Sequence, residues 1–352
     1  MKNEFVNSKY LDVPVVFYNL RHEFNLLISN YQNCVIICDN NSQKYCYPIL
    51  KENYSSIVNQ LIIRIDAGET HKNLETCQSV YSSLLLNNIS KNTLVIALGG
   101  GVICDIAGFI ASTYKRGLDF AFFPTTNLAM VDAAIGGKNG VNFQYQKNMI
   151  GCIHQPKAIF IDTDFLKTLP EVELKNGFAE TLKHALISDR DYFTELDFAN
   201  ALSLIQIKQS AAIKMNIVEL DVNETHLRKA LNAGHTIGHA IESFSLENDA
   251  EPISHGFAVV VGLFAESYVA YTKNLLSLDD FNFVVEKLKS IYPKYLFQEK
   301  NINSIYFFTL NDKKNDDNIR CSLLNGIGKV LIDVACSENE IKDSLLYYLN
   351  NY

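Results

Sequence analysis

The residues that most clearly suggest chemistry lie in Arg228-Lys229-Ala230-Leu231-Asn232-Ala233-Gly234-His235-Thr236-Ile237-Gly238-His239. Read as one helix, Arg228, Asn232, His235 and His239 recur every three or four residues and project from a single face. Two imidazoles one turn apart, in column with a guanidinium and an amide, suit a metal or an anion; a solvated face is the plain alternative. A third imidazole, His255, opens His255-Gly256-Phe257-Ala258-Val259-Val260-Val261-Gly262, and the apolar stretch Phe178-Ala179-Glu180-Thr181-Leu182-Lys183-His184 supplies a carboxylate and an ammonium. One Glu with two His is a frequent catalytic zinc set, leaving a coordination position open to substrate. His184 and Glu242 read as neighbouring or structural polar groups.

Two glycine-bearing stretches suit an anionic ligand. Gly99-Gly100-Gly101-Val102-Ile103-Cys104-Asp105 follows an apolar run and leads into an apolar helix. Glycines let the backbone approach a ligand, and the helix start offers unpaired N–H groups and a positive dipole end to a pyrophosphate. The pattern is not GxGxxG, and a tight strand-to-helix turn needs glycine on structural grounds alone. Its place after a buried strand, at the ligand-facing edge of an open α/β sheet, favours a dinucleotide. Pro124-Thr125-Thr126, Asp132, Gly136-Gly137-Lys138-Asn139-Gly140-Val141-Asn142 and Lys147-Asn148 read as an irregular polar loop for an anion, or as a solvated surface loop.

These residues need a frame. Short apolar runs at 34–38, 61–65, 94–98, 120–123 and 158–161 read as strands. They are continuously apolar rather than alternating, as in a parallel sheet covered by helices on both faces. With helices at 74–86 and 103–114, this predicts an α/β N-terminal domain, residues 1–166, with a Rossmann-like, mostly parallel sheet. Thr168-Leu169-Pro170-Glu171 carries a capping-box helix start. Beyond it, 171–187, 200–220, 227–242, 255–272, 281–291 and 338–350 read as helices, so 167–352 is expected to be a predominantly α-helical C-terminal domain.

The 352 residues are 48% hydrophobic and 20% charged, an ordinary globular mix with length for two domains. The formal charge is −8 and there is no basic block, which argues against nucleic acid and anionic membrane as partners. No secretory signal or membrane-length apolar run is evident, so a soluble, cytoplasmic protein is expected. The eight cysteines are dispersed without a CxxC pair, as expected of reduced core residues.

Taken together, these motifs resemble those of the 3-dehydroquinate synthase family of sugar phosphate cyclases. GGGVICDIAGFIASTYKRG, FPTTNLAMVDAAIGGKNGVN, KNMIG, TLPEVELKNGFAETLKHALI, LNAGHTIGHAIE, SHG and DKK occur in the family's order between about Asp39 and Lys329. The resemblance implies zinc (or cobalt) ligands at Glu180, His235 and His255. It implies NAD contacts at Asp39, Asn41, Glu69, Lys72, Gly100, Gly101, Val102, Asp105, Thr125, Thr126, Lys138, Lys147, Phe165, Leu166, Thr168, Leu169 and Glu173. Substrate and catalytic positions fall on Asp132, Lys138, Asn148, Lys183, Lys214, Glu224, Arg228, Asn232, His239 and one of the pair Lys313, Lys314. Arg116 matches a residue that in the family reaches the site of the partner subunit, which implies a homodimer.

The implied substrate, 3-deoxy-D-arabino-heptulosonate 7-phosphate, carries a carboxylate and a phosphate. A chain of net charge −8 must gather cations to hold it, and Lys138, Lys183, Lys214 and Arg228 would do so locally. In this reading NAD oxidises C5 and is regenerated, phosphate leaves, and ring opening and aldol closure give 3-dehydroquinate. Other readings are aminodehydroquinate synthase or another sugar phosphate cyclase, and a metal-dependent polyol dehydrogenase. The family's usual His-Gly-Glu is here His255-Gly256-Phe257, and His226 stands where Gly is common.

Overall fold

In the computed structural model, residues 6–7, 13–57, 60–144, 146–311 and 319–352 are described. The chain forms two compact units: one from Met1–Leu174 with Leu202–Glu219, the other from Lys175–Ala201 with Leu220–Tyr352.

The first unit is built on a seven-stranded sheet. Its strands are β1 (Val6–Asn7), β2 (Pro14–Val16), β3 (Asn33–Asp39), β4 (Leu61–Ile65), β5 (Thr93–Gly99), β6 (Phe120–Pro124) and, later in the chain, Ala158–Phe160. Between them a separate antiparallel hairpin pairs β7 (Lys138–Phe143) with β8 (Gln146–Ile153), so Ala158–Phe160 is β9. The sheet order is β1-β2-β9-β6-β5-β3-β4, parallel except where β1 meets β2. Every residue of β5 and β6 is buried, which is why their sequences run continuously apolar. Phe24, Tyr54, Phe123 and Phe160 interlock in this core through edge-on and stacked ring pairs.

The expected strands and the 74–86 helix appear at the predicted places. The stretch from Lys138 to Ile153 differs from the loop expected: it is a hairpin in which Lys138 faces Ile153 and Gly140 faces Gly151. Its amides and glycines hide the strand signal because neither face alternates apolar with polar. A cut at 166/167 follows the order of motifs; in space the Leu204–Leu220 helix returns to the first unit, where Ile207, Ala211 and Met215 join the sheet's core.

The second unit is mainly helical. Its helices include Glu171–Ser188, which enters from the first unit, then His235–Asn248, His255–Thr272, Leu278–Ile291 and Glu338–Asn351. A two-stranded hairpin, β10 (Ile319–Leu324) with β11 (Val330–Cys336), completes it. The 227–242 helix does not form as one piece: Leu227–Asn232 is a 3-10 turn, and Gly234 with φ 76 breaks the chain before His235–Asn248 begins. All eight cysteines are free, and burial pushes the Cys34, Cys38 and Cys77 thiols up to about 12, which keeps them unreactive. Among the described residues no helix is long and apolar enough to cross a membrane.

Candidate active site

Three helices deliver the predicted metal ligands. Glu180 lies in a stretch of Glu171–Ser188 where every residue from Asn176 to Ile187 is buried, and His235 and His255 are the first residues of their helices. Glu180 Oε1 stands 3.3 Å from Nε2 of His235 and 3.3 Å from Nε2 of His255. Each imidazole is oriented through its other nitrogen: His235 Nδ1 donates to the Ala233 carbonyl at 3.1 Å, and His255 Nδ1 donates to Glu242 Oε2 at 3.3 Å. Both Nε2 atoms therefore face Glu180, the arrangement in which outer hydrogen bonds aim metal-binding histidines. The exposed His239 joins them, with ring nitrogens of His235, His239 and His255 within 4.8 Å of one another.

The donor set suits a divalent cation. Glu180 is fully buried, none of the described residues gives its oxygens a hydrogen bond of good geometry, and the Lys183 ammonium and the two imidazoles approach them. Burial opposes ionisation of Glu180, but Lys183 and then His235 hold its carboxyl well below the ordinary range. Burial also disfavours charge on His255, yet the Glu180 and Glu242 carboxylates beside it push the ring up to about 9. A buried carboxylate drawing charge toward two imidazoles is what a cation with nitrogen and oxygen ligands would satisfy.

The helices converge because glycines let their backbones touch. A Cβ at Gly256 would stand 2.0 Å from the Asn176 carbonyl oxygen, and the Gly256 N–H donates to Asn176 Oδ1 at 2.5 Å. A Cβ at Gly262 would stand 1.8 Å from the Gly234 oxygen. Asn176 thus registers the Glu180 helix on the His255 helix, and Gly262 brings the His235 helix against the latter.

The break at Gly234 corrects the single-face reading. Asn232 ends a 3-10 turn, while His235 and His239 belong to the next helix. A cavity of about 260 Å³ nonetheless gathers Glu224, Asn232, His235 and His239, with Asn232 Nδ2 donating to Glu224 Oε1 at 3.0 Å. Lys229, Arg320 and Asp333 also line it, although the sequence pointed to none of them. Lys229 Nζ pairs with Asp333 Oδ2 at 2.7 Å, and the Arg320 side chain donates to the Asp333 carbonyl. Arg228 is outside the lining: it is buried, and its Nη1 donates to the Val222 carbonyl at 2.7 Å.

In the first unit the predicted dinucleotide residues collect at the carboxyl ends of the strands. Asp39 ends β3, Gly100 and Gly101 follow β5, and Thr125 and Thr126 follow β6, in strands paired in register. The Asp39 carboxylate accepts the Ser42 N–H at 2.7 Å, so it caps the short helix that holds the exposed Asn41. Gly100 precedes the Gly101–Thr113 helix, and a Cβ there would stand 3.1 Å from Thr126 Cγ2. The half-buried Val102 follows. Lys72 bridges Asp105 Oδ2 and Asn148 Oδ1 at 2.5 Å each, and Asn142 joins Lys72 to Glu69. Burial raises the Asp105 carboxyl, and Lys72 offsets that only in part.

Lys214 Nζ pairs with Asp132 Oδ1 at 2.8 Å and donates to its carbonyl at 2.6 Å. Lys138 and Lys147 are exposed on the β7–β8 hairpin. The side chains of Phe165 and Leu166 belong to the sheet core, while Thr168 is exposed and Leu169 and Glu173 are half-buried. Arg116 is exposed at a turn with φ 61. Lys313 and Lys314 lie outside the described residues.

Solved structures with the same fold define the class. 2-Deoxy-scyllo-inosose synthase, crystallised with carbaglucose-6-phosphate, NAD+ and Co2+, has a TM-score of 0.82 at 26% identity, covering 93% of this chain and 94% of that one. The 2-epi-5-epi-valiolone synthase of Streptomyces hygroscopicus subsp. jinggangensis, with NAD+ and Zn2+, gives the same score and identity over 93% of each chain. The architecture is that of the sugar phosphate cyclases. Within that class, the family models for the 3-dehydroquinate synthase N-terminal and C-terminal regions match residues 62–176 and 177–315. The 3-dehydroquinate synthase of Parabacteroides distasonis is 35% identical over 347 residues, 96% of this chain and 98% of that protein. The chain belongs to the 3-dehydroquinate synthase family.

Proposed function

We propose that this chain converts 3-deoxy-D-arabino-heptulosonate 7-phosphate to 3-dehydroquinate and phosphate, as a carbon–oxygen lyase that uses NAD and a divalent cation, zinc or cobalt. The observation that carries the reading is the convergence of Glu180 with His235 and His255, each imidazole aimed by a second hydrogen bond. Relatives crystallised with NAD+ and Co2+ or Zn2+ support the cofactor assignment. When bound, NAD would supply reversible hydride transfer at C5, and the cation would supply polarisation of the substrate's oxygens.

The chain's own residues do the remaining work. Glu180, His235 and His255 hold the cation, and Lys183 keeps Glu180 ionised for that purpose. Residues 1–166 hold the dinucleotide on Asp39, Gly100, Gly101, Thr125 and Thr126, with Glu69, Lys72 and Asp105 beside them; residues 167–352 hold cation and substrate. Lys138, Asn232 and His239 address the substrate's anionic and hydroxyl groups, and Asp132 with Lys214 fixes a charged pair at the same ligand. Arg116 serves a second copy in a homodimer, and the enzyme works in the cytoplasm.

Purified protein supplied with the heptulosonate phosphate, sub-stoichiometric NAD and Co2+ should release phosphate and 3-dehydroquinate in equal amounts without accumulating NADH. Stoichiometric NADH without phosphate would instead mark a polyol dehydrogenase and refute the proposal.

A further inference from the structure

Glu266 is a carboxylate that the proposed chemistry leaves without a task. It sits in the interior of His255–Thr272, 3% exposed on an otherwise apolar helix. Its Oε2 accepts the Gly234 N–H at 2.6 Å, and its Oε1 accepts the Ile237 N–H at 3.1 Å. Those amides flank His235. The first N–H groups of a helix have no partner inside it, and here the N-cap is Gly234, which has no side chain to supply one. Buried amides left unsatisfied are unfavourable, so an acceptor must come from elsewhere. It comes from the neighbouring helix.

We propose that Glu266 is a positioning residue for the cation site: by capping the start of the His235–Asn248 helix from the side, it fixes the backbone at Gly234 and so aims His235 at Glu180. Glu266 belongs to the same helix as His255, so one side chain locks the backbone carrying one ligand to the helix carrying another. The close approach at Gly262, four residues before Glu266, is what brings its carboxylate within reach of those amides. Gly234 adopts φ 76 and ψ −5, and the Glu266 bond to its N–H holds that turn.

The proposal rests on the cation site described above, and its test separates the two. Metal-free wild type, Glu266→Gln and Glu266→Asp are titrated with Co2+, reading the dissociation constant and the visible absorption of the bound ion. Glu266→Gln, which replaces one acceptor oxygen with an N–H2 group, should weaken Co2+ about ten- to a hundred-fold and shift the absorption. Glu266→Asp, which keeps both acceptors on a shorter arm, should lie between. A folded Glu266→Gln with wild-type affinity and spectrum overturns the role of Glu266 while leaving the cation site standing. Wild type that takes up no Co2+ overturns both. Hydrogen exchange on the metal-free wild type needs no variant to fold: the Gly234 and Ile237 amides should exchange as slowly as amides in mid-helix, and fast exchange at both refutes the cap.

Discussion

Gly262→Ala tests whether close helix contact builds the cation site. The added methyl carbon would lie 1.8 Å from the Gly234 oxygen and 2.7 Å from the Gly238 nitrogen, both backbone atoms that no rotamer change can move aside. Comfortable heavy-atom separations are about 3.5 Å, so the helices must part by roughly 1.5 Å. Overpacking of this kind costs about 1 to 3 kcal/mol. Stretching the Gly234 N–H bond to Glu266, whose carboxyl burial pushes up to about 8, puts at risk about 0.5 to 1.5 kcal/mol more. Against this, Ala in place of Gly favours the helix by about 1 kcal/mol. The net loss is about 0.5 to 3.5 kcal/mol, and at roughly 2 to 4 °C per kcal/mol the unit's Tm should fall by about 1 to 14 °C. Calorimetry in the presence of a chelator reads this without any contribution from bound metal, and a Co2+ titration of the folded variant should show weakened binding because Gly234 precedes His235. A Tm within about a degree of wild type, with unaltered Co2+ affinity, would refute the reasoning.

Four further outcomes follow from the same geometry. His235→Ala should purify with little metal, since loss of one of three ligands leaves the ion loosely held; full occupancy by elemental analysis would remove His235 from the ligand set. Lys138→Ala should lower kcat/KM for the heptulosonate phosphate about ten-fold with NAD affinity unchanged, and a defect confined to NAD would place Lys138 on the other ligand. Phe257→Glu gains the helix-start contact, about 0.5 to 2 kcal/mol, where Ser254 makes no cap hydrogen bond. It loses the edge-on contact of a half-buried Phe257 with Tyr292, worth about 0.5 to 1.5 kcal/mol, so its Tm should stay within about 3 °C of wild type; a far earlier melt would show a core role for the ring. Asp221 is pushed down to about 2: burial opposes this, but N–H groups of Thr225, His226 and Arg228 outweigh it. A lowered carboxyl stabilises the fold fully above its unfolded value near 4 and loses that contribution as pH falls through about 2. Asp221→Asn should therefore be less stable than wild type at pH 6 and indistinguishable near pH 2; an equal deficit at both would contradict it.

Much of the frame was legible along the chain. The buried strands announced themselves because a strand covered on both faces must be apolar at every residue, as 94–98 and 120–123 are. The 255–272 helix was read with its observed ends. Glu180 stands out because an ionisable residue in an apolar stretch requires a reason, whereas the choice of His235 and His255 as its partners rests on the family resemblance. Glu266 carries the same signal, a lone carboxylate in an apolar helix, but nothing near it in sequence suggests a partner.

What the sequence determined by itself was which residues are buried and which chemical groups stand at helix starts and strand ends, since hydrophobic period and turn chemistry are local. Only the tertiary structure decided what those faces are buried against. The Arg228–His239 stretch carries a good helical period, yet it breaks at Gly234, where a carboxylate 32 residues away accepts an amide N–H at the second helix's start. Arg320 and Asp333 reach the cavity because β10 and β11 fold into a hairpin beside Lys229, and Leu204–Leu220 joins the sheet through Ile207, Ala211 and Met215. Periodicity reports that a surface must be covered; the covering partner is chosen by packing between segments far apart in the chain, which local sequence does not encode.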